Sequence, residues 1–141
     1  LTRDGLTGFQ CLTRRIATRF DAVTAGLFMK PQRCNAVAYS EPVLCDAEAF
    51  LVKKGNPKNL TSFKSIAESS DATIGAPGGG TEERLSLEAG VPRNRVIVVP
   101  DPQSGLTMLQ QGRIDVYSLP VLSINALAEN AGDEVEVVAP V

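Results

Sequence analysis

Two stretches of this sequence carry groups able to grip one anion from two sides. TAGLFMKPQR, residues 24–33, ends in Arg33, a fixed positive charge, and includes the ring of Phe28. APGGGTEER, residues 76–84, centres on Gly78, Gly79, Gly80 and Thr81. A glycine turn that runs into a helix start bares backbone N–H groups, and a helix N-terminus favours negative charge. Arginine offers a planar fork that matches a carboxylate. Together the two stretches suggest carboxylate capture. Each also has a plainer reading: Arg33 as a helix cap or surface ion pair, the glycines as a flexible strand-to-helix turn, Phe28 as core.

Other chemistries are poorly supplied. The glycine turn lacks the Lys-Ser/Thr ending of a phosphate loop and has no GxGxxG spacing, which argues against nucleotide binding. There is no histidine, no GxSxG elbow and no close cysteine pair, so no nucleophile with its base, and no zinc set, can be assembled; an enzyme is not expected, nor a cofactor or metal. Glu82 and Glu83 read as solvent charges at a helix N-terminus and Asp115 as the end of a turn. Three cysteines, Cys11, Cys34 and Cys45, leave one unpaired whatever the others do. Cys34 and Cys45 could meet in a disulfide or stand as free thiols.

These groups must be positioned by a chain of 141 residues, 43% of them hydrophobic, which is about one domain with material for a substantial core. Fourteen Lys and Arg against 16 Asp and Glu leave a formal charge of -2, so no overall field recruits nucleic acid or an acidic membrane, and an anion site must be local. Apolar runs such as Val96 to Pro100 are far shorter than the roughly 20 residues that cross a bilayer. LTRDGLTGFQ at the start shows neither the charge pattern nor the apolar core of a signal peptide.

From Glu48 onward β-rich runs alternate with helical ones. EAFLVK (48–53), TIGA (73–76), VIVV (96–99), DVYSL (115–119) and VEVVA (135–139) predict strands. Leu60, Phe63, Ile66 and Ala67 fall at helical spacing behind Thr61 or Ser62. A second helix starts near Thr81 and stops at Gly90, a third runs from about Ser104 to Gly112, and a fourth covers Val121 to Asn130. The alternation implies an α/β layer with a largely parallel sheet and ligands at the carboxyl ends of its strands. Before Glu48, an amphipathic helix is expected over Phe9 to Arg19 and a buried strand over Phe20 to Gly26. A helical turn containing Arg33 then opens at Lys30-Pro31, followed by extended chain from Ala36 to Leu44.

FDAVTAGLFMKPQRCNAVAYS, AFLVKKGNP, the glycine turn, VPDPQSGLTMLQQGRIDVYSLP and EVEVVAPV together resemble the substrate-binding proteins of ABC importers for polar amino acids, and most of all those of ectoine and hydroxyectoine. The resemblance covers nearly the whole chain from Phe20 onward. It implies a type II periplasmic binding protein fold, with residues 1–45 as a partial first lobe and 46–141 as a near-complete second lobe. It also implies a small zwitterionic solute as ligand, an ABC permease as partner and a periplasmic or extracellular location. By the same resemblance Arg33 pairs with the ligand carboxylate, the Gly26 backbone contacts its cationic group and Phe28 forms an aromatic wall. Gly80 and Thr81 form the second lobe's carboxylate-contacting turn. Pro120 stands where many amino-acid binders carry an acid, which points to a ligand with delocalised positive charge.

Relative to that pattern the first lobe is expected to be truncated and rearranged, with DGLTGFQCLTRRIATR joined directly to FDAVTAG; a second alignment places an insertion after GFQ instead. A different class of function follows from such a remnant: a self-associating structural or interaction protein, in which an uncovered sheet recruits another copy into a homo-oligomer.

Overall fold

A computed structural model describes residues 21–23, 28–42 and 44–141. The chain divides into two compact units, Leu1–Cys45 and Asp46–Val141. The described part of the first unit holds one helical turn, α1 (Pro31–Cys34), which includes Arg33 as expected. Residues 36–42 and 44 leave that turn without joining a strand. Of the strand expected over Phe20–Gly26, residues 21–23 are not in a strand and the others lie outside the described residues, as do the helix expected over Phe9–Arg19 and Cys11. Cys34 and Cys45 are free, exposed thiols.

The second unit is a five-stranded sheet with helices on both faces. Its strands are β1 (Glu48–Lys53), β2 (Ile74–Pro77), β3 (Val96–Val99), β4 (Val116–Pro120) and β5 (Val135–Val138), in the spatial order β3-β2-β4-β1-β5. β2 pairs in parallel with β3 and with β4, while β1 runs antiparallel to both β4 and β5. Four strands therefore share one direction and β1 opposes them. The helices are α2 (Phe63–Glu68), α3 (Thr81–Glu88), α4 (Pro102–Gln110) and α5 (Val121–Ala131).

Side-chain alternation sorts β1 and β4 into two cores. Phe50, Val52 and Val116 pack with Leu60, Ile66, Ile74 and Val96 on one face, where Phe63 of α2 meets Phe50 edge-on with ring centroids 5.0 Å apart. Leu51, Tyr117 and Leu119 point to the other face, against Leu106 and Leu109 of α4 and Ile124 and Leu127 of α5. Because both faces are covered, the central strands read as unbroken apolar runs.

Local signals set the helix ends. Ser62 caps α2 by accepting the Ser65 N–H at 3.1 Å, and Ser65 Oγ accepts the Ser62 N–H in return. α4 begins earlier than Ser104: Asp101 is its cap, taking the Ser104 N–H at 2.9 Å and the Ser104 hydroxyl at 2.6 Å, with Pro102 at the first helical position. Its other end closes at Gly112 in a left-handed conformation (φ 72).

Two side chains do more than their sequence positions suggest. Asp115 does not merely end a turn: its Oδ2 accepts the Thr73 N–H at 2.8 Å, the Thr73 hydroxyl at 2.9 Å and the Lys58 ammonium at 3.1 Å, tying the segments that enter β2 and β4 together. Arg95 donates from Nη1 to the carbonyls of Ile66, Ser69 and Ala72 and from Nη2 to that of Ala67, closing the C-terminal end of α2.

Burial alone would lower the Lys58 pKa, but hydrogen bonds to Asp71 and Asp115 outweigh it and hold the ammonium above its ordinary value. The Lys58 hydrogen bond holds Asp71 below the usual carboxylate range, and the Ser104 hydroxyl does the same for Asp101. A folded-state pKa below the unfolded one contributes stability above the unfolded value, and that contribution is lost as pH falls through the folded one. Stability against thermal unfolding is therefore expected to fall from about pH 4 downward. Asp101→Asn, which keeps a capping oxygen, should flatten part of that acid limb; an unchanged acid limb would contradict the assignment.

Candidate functional site

β2, β3 and β4 are parallel neighbours, so the turns that follow them emerge along one edge of the sheet. In open α/β sheets this edge is where ligands collect. The turn after β2 is Gly78-Gly79-Gly80. Gly79 has φ 68, and the Gly80 N–H donates to the Pro77 carbonyl at 3.0 Å to close the turn. A Cβ at Gly78 would stand 2.9 Å from Val98 Cγ1, and one at Gly80 would stand 2.5 Å from Glu82 Oε2. One glycine is thus required by conformation and two by close approach.

Gly80 is the N-cap of α3 and Thr81 its first residue. The N–H groups of a first turn have no intrahelical acceptor, which favours negative charge nearby. Glu82 is 5% exposed. Glu83 accepts the Gly79 N–H and pairs with Arg93, its side chain only 13% exposed. The expectation of two solvent-facing charges is corrected: Glu82 is buried, and Glu83 is held by the Gly79 N–H and Arg93 beside the positive end of the helix. The Gly80 N–H is used within the turn, so Thr81 is the residue of this pair whose first-turn N–H lies beyond the turn's own bond.

Pro120 ends β4 opposite Glu48 and occupies the N-cap position of α5. The donors that follow it are already matched: the Val121 N–H reaches the Ala47 carbonyl at 2.9 Å and the Leu122 N–H reaches Asp46 Oδ2 at 3.5 Å. The first two N–H groups of α5 therefore already have acceptors. Tyr117, one strand turn earlier, is 1% exposed with its ring against Gly105. Burial first, and then the charges of Glu82 and Asp101, hold its phenol well above the ordinary tyrosine range, so the hydroxyl stays neutral.

In the first unit Phe28 and Arg33 are both half-buried. Arg33 Nη1 donates to the Phe28 carbonyl at 3.0 Å, and the Tyr39 hydroxyl donates to the same oxygen at 3.1 Å. The fork keeps Nε and Nη2, enough for a bidentate carboxylate bond. Gly26 lies outside the described residues. Tyr39 and Tyr117 carry no signal of these contacts in the sequence beyond their aromatic character.

At the opposite edge of the sheet a cavity of ≈ 60 Å³ is lined by Lys53, Lys58, Gly112 and Asp115 among others. That is far below the roughly 300 Å³ at which pockets begin to enclose small-molecule ligands. Among the described residues no cluster of His, Cys, Asp and Glu could hold a metal ion, and no helix is long and apolar enough to cross a membrane.

No family model matches the chain. A probable amino-acid ABC transporter periplasmic-binding protein of Sinorhizobium fredii is 34% identical over 124 residues, covering 88% of this chain and 40% of the relative. A crystal structure of EhuB in complex with hydroxyectoine is 72% identical, with TM-score 0.89 over 92% of this chain and 51% of that one. The chain is similar to periplasmic binding proteins over part of their length. An ancestral arginine-binding protein bound to glutamine, 22% identical, shares the fold with TM-score 0.83 over 95% of this chain and 58% of that one. It therefore has the mixed α/β fold of type II periplasmic binding proteins and spans about half the length of the proteins it matches.

Proposed function

We propose that this chain is a solute-binding protein of ABC-importer type that takes a small zwitterion, an ectoine-like compound or a polar amino acid, through its carboxylate. Its 72% identity to EhuB, a protein seen with hydroxyectoine, is the observation that carries the reading. In this reading residues 46–141 are the second lobe and 1–45 part of the first. Arg33 supplies the charge and fork for the carboxylate, Thr81 with Gly80 the amide-lined turn, Phe28 an aromatic face and Gly26 a backbone contact. Pro120 leaves the cationic end without an ionic partner at its own position. An aromatic face attracts a diffuse cation, which suits a charged ring better than a compact ammonium. The partner is an ABC permease and the location periplasmic or extracellular. A homo-oligomer is a separate proposal that this reading does not require.

Calorimetric titration of the chain with ectoine, hydroxyectoine and polar amino acids tests it. A saturable heat is expected with one of them, and Arg33→Ala should weaken that binding by at least about 30-fold, since truncating one partner of a buried charge pair costs about 2–5 kcal/mol. Unchanged affinity in Arg33→Ala would remove Arg33 from the site.

A further inference from the structure

α1 is a single turn, too short to hold its own shape, and its cap position Lys30 offers no side-chain cap bond. What holds it is a set of bonds centred on Arg33. The Arg33 N–H donates to the Lys30 carbonyl at 2.9 Å, and the Arg33 carbonyl accepts the N–H groups of Ala36 at 3.0 Å and Val37 at 3.1 Å. These fix the backbone but leave a long side chain with several rotatable bonds. One further contact fixes the guanidinium, the Nη1 bond to the Phe28 carbonyl. That carbonyl would swing with the Phe28-Met29 peptide plane if nothing else held it, and Met29 is exposed. The Tyr39 hydroxyl is the second donor to it, reaching back from the chain that leaves α1.

We propose that Tyr39 is a positioning residue for Arg33, its hydroxyl fixing the Phe28 carbonyl and so the direction in which the guanidinium presents its remaining fork. The inference rests on the functional reading above for what the fork meets, but its geometry stands without it. An arginine fork confers specificity only when its plane is fixed before the anion arrives; otherwise the ordering is done at the expense of affinity. Phenylalanine at 39 would fill the same space and lack only the donor.

Tyr39→Phe removes a hydroxyl and opens no cavity, so the fold should persist, as circular dichroism can show. Two measurements then follow on the full 141-residue chain. In the absence of ligand, ¹⁵N-detected spectra of the arginine side chains should show Arg33 rotating faster about its Cζ–Nε bond in Tyr39→Phe than in the unmodified chain. Titration with ectoine should show affinity about three- to tenfold weaker, the loss of one hydrogen bond. The loss should shrink to less than about twofold when Arg33 is already lysine, because a residue acting through another has nothing left to position. An unchanged Arg33 spectrum overturns the proposal, as does an equal loss of affinity in the Arg33→Lys background. If no ligand binds the unmodified chain while the Arg33 signal still loosens in Tyr39→Phe, the functional reading fails and the positioning role stands.

Discussion

Arg95→Ala is expected to destabilise the second unit by about 2–3 kcal/mol, a figure set by hydrogen bonds to a charged group and by the donors and acceptors left unmatched when one partner goes. The last turn of a helix exposes carbonyls that nothing within the helix can satisfy. In α2 they are met by one guanidinium, which reaches the carbonyls of Ser69 at 2.6 Å, Ala67 and Ala72 at 3.2 Å and Ile66 at 3.3 Å. α2 has only six residues, so its place on the sheet depends on Ile66, Phe63 and this cap. The positive charge also lies at the negative end of the helix. Lysine keeps the charge but not the fork and should recover less than half of the loss. Urea unfolding with an unchanged slope and a lowered midpoint is the expected result. A midpoint shift worth less than about 0.5 kcal/mol, as for an ordinary surface substitution, would show that water serves these carbonyls as well.

The second large effect is expected at Gly105, inside α4. Alanine is normally the better helix residue by up to about 1 kcal/mol. Here a Cβ would stand 2.3 Å from both Cε1 and Cζ of Tyr117, a ring with 1% exposure and no room to retreat. On its other flank lies Gly75, where a Cβ would come within 3.4 Å of Tyr117 Cδ2 and 2.6 Å of Ile114 Cδ1. Two glycines thus make the slot for one tyrosine. Overpacking costs about 1–3 kcal/mol and more where the ring cannot turn, so Gly105→Ala should lose roughly 3 kcal/mol despite its helix propensity. The double variant Gly105→Ala with Tyr117→Leu should be more stable than the sum of its parts, because the smaller side chain relieves the clash. Additive losses would show that the helix had moved away instead.

How far this structure is legible in the sequence depends on the range of each interaction. VIVV, AFLV and the capped helices carry their signals within a few residues, and those elements form where the sequence places them, with α4 starting two residues earlier because Asp101 rather than a later residue caps it. The direction of β1 is not written in any local pattern: a strand buried on both faces reads alike whether it runs parallel or antiparallel. Its pairing with β4 and β5 is settled by chain segments far from it. The same holds for Asp115, whose partners Thr73 and Lys58 lie more than forty residues away, and for Arg95, which acts on α2. Two glutamates at a helix start look like solvent charges in a sequence, yet Glu82 is buried and Glu83 is engaged by Gly79 and Arg93, the latter ten residues further on. At the candidate site the glycine turn and Arg33 were visible as residue types. Tyr39 was not, since only the fold shows its hydroxyl on the Phe28 carbonyl.

The central claim is that a zwitterion's carboxylate is held by Arg33 together with the turn at Gly80 and Thr81. The most direct test is a ¹H,¹⁵N spectrum of the chain recorded during titration with ectoine. The account predicts saturable shifts of the Gly79, Gly80 and Thr81 amides and of the Arg33 side chain, all following one binding curve. Shifts confined to other residues, or none at saturating ectoine and amino acids in a folded chain, would contradict it.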